Sequence, residues 1–218
     1  MNKLELIRSI IKKIPRGKIF FSESISTTWT PKNTNHLLSQ LVKTGEIVRI
    51  TQGMYVRPRK SRYLKAYVIT PNADEIVKAI SKKTGEVIST YAAAALNYVG
   101  LSTQIQINPI YYTTGRSRDI KSNRKRIIKL KYINPKKLIM PNSITCLVAT
   151  ALWSQGKDSI SPLSIKKIHH RIGEEDFFEV LKHLDKMPLW MKKVFVQYQN
   201  MQSDDPRLVE DLNSYYQG

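Results

Sequence analysis

The spacing of apolar residues changes from helical to strand-like within the first 21 residues of the chain. Five residues follow i, i+3, i+4 and i+7 spacing and so form one buried helical stripe: Leu4, Ile7, Ile10, Ile11 and Ile14. Pro15 and Gly17 end this helix, and residues 18–21 leave room for a short strand. Ser22 is a suitable N-cap for a short helix through about Thr28.

A second helix is predicted after a short turn. Residues 29–32 form the turn, because Pro31 disfavours helical backbone at the residue before it. The helix is expected to begin near Asn33 or Thr34 and to end near Lys43. Two helices separated by a turn of this length predict a helix-turn-helix.

A hairpin is predicted next, starting after Gly45. Residues 46–50 and 54–57 are strand-like, and the three residues between them end in Gly53, which is typical of a hairpin connection. This hairpin completes the pattern of a winged helix-turn-helix. Basic residues line the predicted wing and its exit, where a DNA backbone would lie: Arg49, Arg57, Arg59, Lys60 and Arg62.

The second helix presents a polar side that suits DNA. Leu37, Leu38 and Leu41 lie on its apolar side. The opposite side and its flanks carry seven polar residues: Lys32, Asn33, Asn35, His36, Ser39, Gln40 and Lys43. Asn and Gln amides pair with adenine edges, and lysines pair with phosphates, so this side is predicted to contact DNA. The alternative is an ordinary solvated helix face.

The charge of the chain is large and unevenly distributed. Residues 1–65 carry fourteen Lys and Arg against three acids, which is +11 of the total of +19; residues 66–137 carry +9 and residues 138–218 carry −1. This balance favours a polyanionic partner, most often nucleic acid, with an anionic membrane surface or an acidic protein as alternatives. An apolar fraction of 41% excludes a disordered chain. The length allows two modest domains, predicted at residues 1–65 and 66–218.

The second predicted domain mixes helices, strands and a helical tail, which gives an α+β fold. Asn72 and Glu75 have capping-box spacing at the start of one helix. The predicted helices span residues 72–83, 91–99, 144–155, 161–172, 174–186 and 189–201, with a short one after Pro206. The predicted strands span residues 87–89, 107–113, 118–121 and 127–133.

A second basic cluster falls in the predicted hairpin region of this domain, on the strands and beside them. Its members are Arg116, Arg118, Lys121, Arg124, Lys125, Arg126, Lys129 and Lys131. One interpretation is a surface for phosphates or for an acidic protein partner. The other is a solvated sheet face whose charges discourage edge-to-edge aggregation. The sequence leaves both interpretations open.

No catalytic or metal-binding motif is found, so we expect no enzyme, no cofactor and no metal. Cys146 lies in an apolar run and is expected to be a buried thiol. His169 and His170 are adjacent, so on a helix they point about 100° apart and do not form the i, i+4 pair that binds zinc. The start of the chain lacks a signal-peptide pattern, and no apolar run approaches the ~20 residues of a membrane span. A cytoplasmic protein is expected.

Several motifs together resemble a known family, the AbiEi-type antitoxin regulators of abortive-infection (phage-defence) systems. The wing sequence, residues 45–50 followed by Gly53-Met54-Tyr55, fits that family's pattern. In the second domain, residues 92–96 lead to Gly-Leu-Ser-Thr-Gln at 100–104, and residues 111–118 contain Thr-Gly-Arg-Ser before a basic strand. The resemblance covers roughly residues 1–155.

The resemblance implies the antitoxin of a type IV toxin–antitoxin system. Its N-terminal domain is then expected to repress its own operon, whose operator is expected to contain inverted repeats in double-stranded DNA. Its C-terminal domain is expected to counter a nucleotidyltransferase-like toxin. Two alternatives stay open: a plain winged-helix regulator with a ligand or oligomerisation domain, and an RNA-processing or nucleotide-transfer enzyme.

Overall fold

A computed structural model describes residues 2–25, 30–60, 68–105, 107–121 and 127–203 of the chain. These residues form a mixed α+β fold. The helices are α1 (Lys3–Lys13), α2 (Pro31–Lys43), α3 (Ala73–Thr84), α4 (Ala92–Tyr98), α5 (Ile144–Gln155), α6 (Pro162–Ile172), α7 (Glu174–Lys182) and α8 (Leu189–Ser203). The strands are β1 (Ile19–Phe21), β2 (Val48–Thr51), β3 (Met54–Val56), β4 (Arg59–Lys60), β5 (Val68–Ile69), β6 (Ile88–Thr90), β7 (Ile110–Thr113), β8 (Arg118–Lys121) and β9 (Ile127–Tyr132).

The chain divides into two compact units. The first unit comprises residues 1–86 and 117–130, and the second comprises residues 87–116 and 131–218. Strands β6 to β9 form a sheet with the order β6-β7-β9-β8, and the chain passes from the first unit to the second within β9. The predicted domain boundary after residue 65 lies outside the described residues.

Helix α1 begins with a capping box, because the Asn2 side chain accepts from the helix backbone while Glu5 Oε2 accepts from the Asn2 amide. It buries Ile7 and Ile11 against α2 and the sheet formed by β1, β2 and β3, as the apolar spacing predicts. The core of this part of the first unit consists of Ile7, Ile11, Phe20, Ile25, Leu38, Leu41, Ile47 and Tyr55.

Helix α2 begins earlier than predicted. Pro31 and Lys32 belong to the helix and not to the turn, and Thr30 is the N-cap with extended backbone. A proline at the first helical position needs no backbone N–H, and its fixed φ suits a helix, which explains the earlier start. Ser22 opens a short 3₁₀ helix, Ser22–Ser24, whose cap is Phe21. The rest of the predicted short helix, at residues 26–28, lies outside the described residues.

The predicted hairpin is confirmed and belongs to a sheet with the order β1-β3-β2. Both pairings are antiparallel, with Phe20 opposite Tyr55 and Arg49 opposite Tyr55 on the other side of β3. The predicted short strand at residues 18–21 is therefore β1. Strand β2 shifts register between Arg49 and Thr51, beside the turn that contains Gly53.

An ion pair ties α1 to the start of the hairpin. Arg8 Nε and Nη2 donate to the two carboxylate oxygens of Glu46 at 2.8 and 2.7 Å. The Arg8 side chain holds the pKa of the Glu46 carboxyl below its usual value, with a further contribution from the Thr44 hydroxyl. The bidentate geometry fixes the entry of the hairpin relative to α1.

Helix α3 confirms the predicted capping box. The Asn72 side chain accepts from the Glu75 amide at 2.8 Å, and the Glu75 carboxylate accepts from the Asn72 amide at the same distance. Gly85 ends the helix with a φ of +74°, a left-handed conformation that glycine adopts without a steric penalty. Strands β8 and β9 pair antiparallel, with Ile120 opposite Ile128 and Asp119 opposite Lys129.

The second unit is mainly helical. Its core contains Val148, Leu152, Ile165, Ile168 and Phe195, which come from α5, α6 and α8 and are each fully buried. Two boundaries differ from those predicted by more than two residues. Strand β7 starts at Ile110 rather than 107, because Pro109 has no N–H for the strand ladder. Helix α7 ends at Lys182 because His183 leaves helical backbone, and a 3₁₀ turn, Leu184–Lys186, follows. The short helix predicted after Pro206 lies outside the described residues.

Within the described ranges, no helix is both long and apolar enough to cross a membrane.

Candidate nucleic-acid interface

The apolar side of α2 is buried and its polar side is exposed. Thr34, Leu38 and Leu41 are buried against the rest of the first unit. The seven predicted DNA-contacting residues on α2 are Lys32, Asn33, Asn35, His36, Ser39, Gln40 and Lys43. Six of them are exposed, and Gln40 is half-buried. The helix contains no acidic residue, so this face is polar and positively charged.

Two hydrogen bonds organise the polar face of α2. The Gln40 amide nitrogen lies 3.1 Å from His36 Nε2, one helical turn away. The Ser39 hydroxyl donates to the Asn35 carbonyl at 2.8 Å. The first contact fixes the Gln40 side chain along the helix, and the second directs the Ser39 hydroxyl proton into the helix backbone.

The arginines at the exit of the hairpin bind the end of α1 and the turn after it. Arg57 Nη1 donates to the carbonyls of Lys12 and Ile14 at 2.7 and 3.1 Å, and Arg59 Nε donates to the carbonyl of Arg16 at 2.8 Å. The last carbonyls of a helix have no partner within the helix, so the Arg57 guanidinium stabilises the end of α1, whereas Arg59 binds the turn that follows it. This role is not apparent from the sequence.

Gly17 makes room for the Arg59 side chain. Its φ is +85°, and a Cβ at this position would collide with the Arg59 guanidinium. The Gly17 amide also donates to the Arg57 carbonyl at 2.7 Å. The sequence predicts Gly17 only as the end of α1, whereas the structure gives it a second role beside β4.

The other three basic residues of the predicted wing are Arg49, Lys60 and Arg62, and the structure describes them to different extents. Arg49 lies on β2, half-buried and opposite Tyr55, beside the exposed end of the hairpin. The backbone of Lys60 lies in β4, while its side chain is outside the described part. Arg62 lies entirely outside the described residues.

One arginine of the second basic cluster is engaged inside the first unit. Arg118 Nη1 donates to Glu86 Oε2 at 3.0 Å, and Arg118 Nη2 donates to Glu86 Oε1. The Glu86 side chain is only 10% exposed. Arg118 therefore neutralises a nearly buried carboxylate, and its charge is not available in full to an external partner.

The other described members of the cluster are exposed. Lys121 and Lys129 lie on the outward face of the β8–β9 pair, with Asp119 opposite Lys129. In the second unit, Arg116 is exposed, and Lys131 Nζ lies 4.8 Å from the centre of the Tyr91 ring and donates to its hydroxyl at 3.1 Å. Arg124, Lys125 and Arg126 lie outside the described residues.

Cys146 and His169 both pack inside the second unit. Cys146 is buried, as predicted, with its sulfur 3.6 Å from the Ser89 hydroxyl. The His169 ring stacks on Phe177 at 3.9 Å, and its Nδ1 lies 2.9 Å from the Tyr198 hydroxyl. Burial raises the pKa of Tyr198. Among the described residues, no three His, Cys, Asp or Glu side chains are grouped to hold a metal ion.

Residues 6–203 match a protein family described as "Family of unknown function (DUF6088)". No curated protein and no solved structure matches the chain.

Proposed function

The chain belongs to DUF6088, a family of unknown function, and from this premise we propose that it is a DNA-binding transcriptional regulator. Its N-terminal part acts as a winged helix-turn-helix on double-stranded DNA. The observation that carries the proposal is the exposed face of α2, which combines amide and imidazole side chains with lysines and has no acidic residue.

The arrangement around α2 supports this proposal. Helix α1, strand β1, a 3₁₀ turn, α2 and the β2–β3 hairpin follow one another, and β1 pairs with β3. A helix-turn-helix inserts its second helix into the major groove, and a wing lies along the adjacent backbone. We infer that α2 is the recognition helix and that the β2–β3 hairpin, which carries Arg49, is the wing.

Residues on α2 divide into two predicted roles. Asn35 and Gln40 read base edges, because an amide pairs with adenine N6 and N7. Lys32 and Lys43 lie toward the ends of the helix and contact phosphates, which adds affinity without sequence preference. Arg57 is a poor probe of phosphate contact, because its replacement also removes two hydrogen bonds at the end of α1.

A DNA titration tests the two roles. The DNA preceding the chain's own gene is compared with a random duplex at one salt concentration. Gln40→Ala and Asn35→Ala are each expected to reduce the preference for the specific duplex by roughly 1–3 kcal/mol. Lys43→Ala is expected to weaken both duplexes equally and to lower the salt dependence of binding.

The control variant for the titration is Lys166→Ala, an exposed lysine on α6 in the second unit. It is expected to leave both affinities unchanged. If the ratio of specific to random affinity stays the same in Gln40→Ala and Asn35→Ala, helix α2 does not read bases and the proposal is wrong.

The proposal extends to an antitoxin that represses its own operon, and the support for this part is the resemblance to AbiEi-type regulators. The second unit is then the part that counters a nucleotidyltransferase-like toxin. Co-expression with the product of the adjacent gene is expected to restore growth that this product alone arrests. A control with α2 disabled by Gln40→Ala and Lys43→Ala is expected to restore growth as well, when both genes are expressed from foreign promoters. If growth stays arrested when the intact chain is co-expressed, the chain is not an antitoxin for this product. The proposal then reduces to a plain transcriptional regulator.

A further inference from the structure

We propose that a cleft in the first unit binds a small amphipathic anion, meaning a single negatively charged head group on an apolar body. The cleft lies between the end of α1, strand β1 and helix α3, and its volume is about 530 Å³. This volume falls within the range of small-molecule sites, which is roughly 300–1,000 Å³. All of its lining residues belong to the first unit.

The floor of the cleft is apolar. It is lined by Ile14 and Pro15 after α1, Ile19 and Phe21 on β1, and Ala79 on α3. The small side chain of Ala79 leaves room on the α3 side. A surface of this kind favours an aliphatic or aromatic body, because burying apolar area contributes about 25 cal/mol per Å².

The rim of the cleft is positively charged. Lys13, Lys18, Lys82 and Lys83 line it. Lys83 is already engaged, since its Nζ donates to Glu23 at 2.8 Å and lies 4.6 Å from the centre of the Phe21 ring. The other three lysines are exposed, and among the described residues none of them forms an ion pair with an acid. The charges of these three lysines are therefore left uncompensated.

Charge and shape together select the class of ligand. A neutral apolar molecule would leave the lysines without a counter-charge. A bare phosphate would leave the apolar floor exposed to water. A ligand with both parts satisfies both surfaces, with its carboxylate or phosphate among Lys13, Lys18 and Lys82 and its body against Ile19 and Phe21.

The test uses two fluorescent probes with the same apolar body and the full chain. 1-Anilinonaphthalene-8-sulfonate carries an anionic group, and N-phenyl-1-naphthylamine lacks it. The sulfonate is expected to bind in a 1:1 complex and more tightly than the neutral probe. The double variant Lys18→Ala/Lys82→Ala is expected to weaken sulfonate binding by about tenfold, which is roughly 1.4 kcal/mol, since it removes two charged contacts to the sulfonate. It is expected to leave binding of the neutral probe unchanged.

Lys78 provides a matched control on the same helix. It is exposed on α3 one turn before Lys82 and does not line the cleft. Lys78→Ala is expected to bind the sulfonate like the wild type. Ala79→Leu is expected to weaken both probes by filling the cleft, and a urea unfolding curve verifies that this variant is folded.

Competition then identifies the source of the ligand. Displacement of the sulfonate by decanoate indicates an aliphatic acid, and displacement by adenosine monophosphate indicates a nucleotide. Equal sulfonate affinity in the wild type and the double lysine variant would overturn the proposal, as would an equal loss in Lys78→Ala. The titrations contain no DNA, so their outcome is independent of the proposed regulatory function.

Discussion

Phe195→Ala is expected to lower the free energy of unfolding of the second unit by about 3–5 kcal/mol. The Phe195 side chain is fully buried on α8. Its ring centre lies 5.9 Å from that of Phe177, which in turn stacks on His169. Removal of the ring leaves a cavity among several helices, and a close-packed core relaxes only partly around such a cavity.

Urea unfolding followed by tryptophan fluorescence measures this loss. Trp153 and Trp190 lie in the second unit with ring centres 5.7 Å apart, so their emission reports on this core. Val196→Ala is the control, because Val196 is the next residue on α8 and is 48% exposed. Its effect is expected to stay within about 0.5 kcal/mol. Similar midpoints for the two variants would contradict the placement of α8 in the core.

Arg118→Ala is expected to destabilise the first unit by about 2 kcal/mol, because it leaves the Glu86 carboxylate nearly buried without its bidentate partner. The loss is expected to be smaller than for a fully buried pair, since the Arg118 side chain is 36% exposed. Arg118→Lys is expected to recover only part of the stability, because an ammonium group cannot form both hydrogen bonds of a guanidinium group in this geometry.

Lys121→Ala is the matched control for Arg118. Lys121 lies on the same strand, β8, and is exposed on the outward face. Thermal unfolding is expected to show little change for Lys121→Ala and a lower midpoint for Arg118→Ala. Equal midpoints would show that Arg118 belongs to the exposed basic surface and does not support the fold.

Elements whose signals are local could be predicted from the sequence. The capping box at Asn72 and Glu75 depends on residues three apart, and α5 has the predicted bounds because an apolar run between Ser143 and Gly156 defines it. The β2–β3 hairpin follows from two strand-like runs and the short connection between them. In each case the interactions that specify the element lie within a few residues of it.

Contacts between distant residues could not be predicted. Arg57 and Lys12 are 45 positions apart, and Arg118 and Glu86 are 32 positions apart. The sequence presents both arginines as members of basic clusters, and only the fold brings a carbonyl or a carboxylate to them. The candidate interface shows the same division between local and distant interactions. The polar side of α2 follows from helical spacing. The roles of Arg57, Arg59 and Gly17 require the packing of α1 against the exit of the hairpin.

The bond from Ser39 to the Asn35 carbonyl has a consequence for base selection. While this bond holds, the only proton of the hydroxyl is committed to the helix, and the side chain offers lone pairs alone to the outside. Under the proposed function, Ser39 therefore discriminates between the edges of the major groove. It accepts from the exocyclic amino groups of cytosine and adenine, and it disfavours the bare oxygens of guanine and thymine.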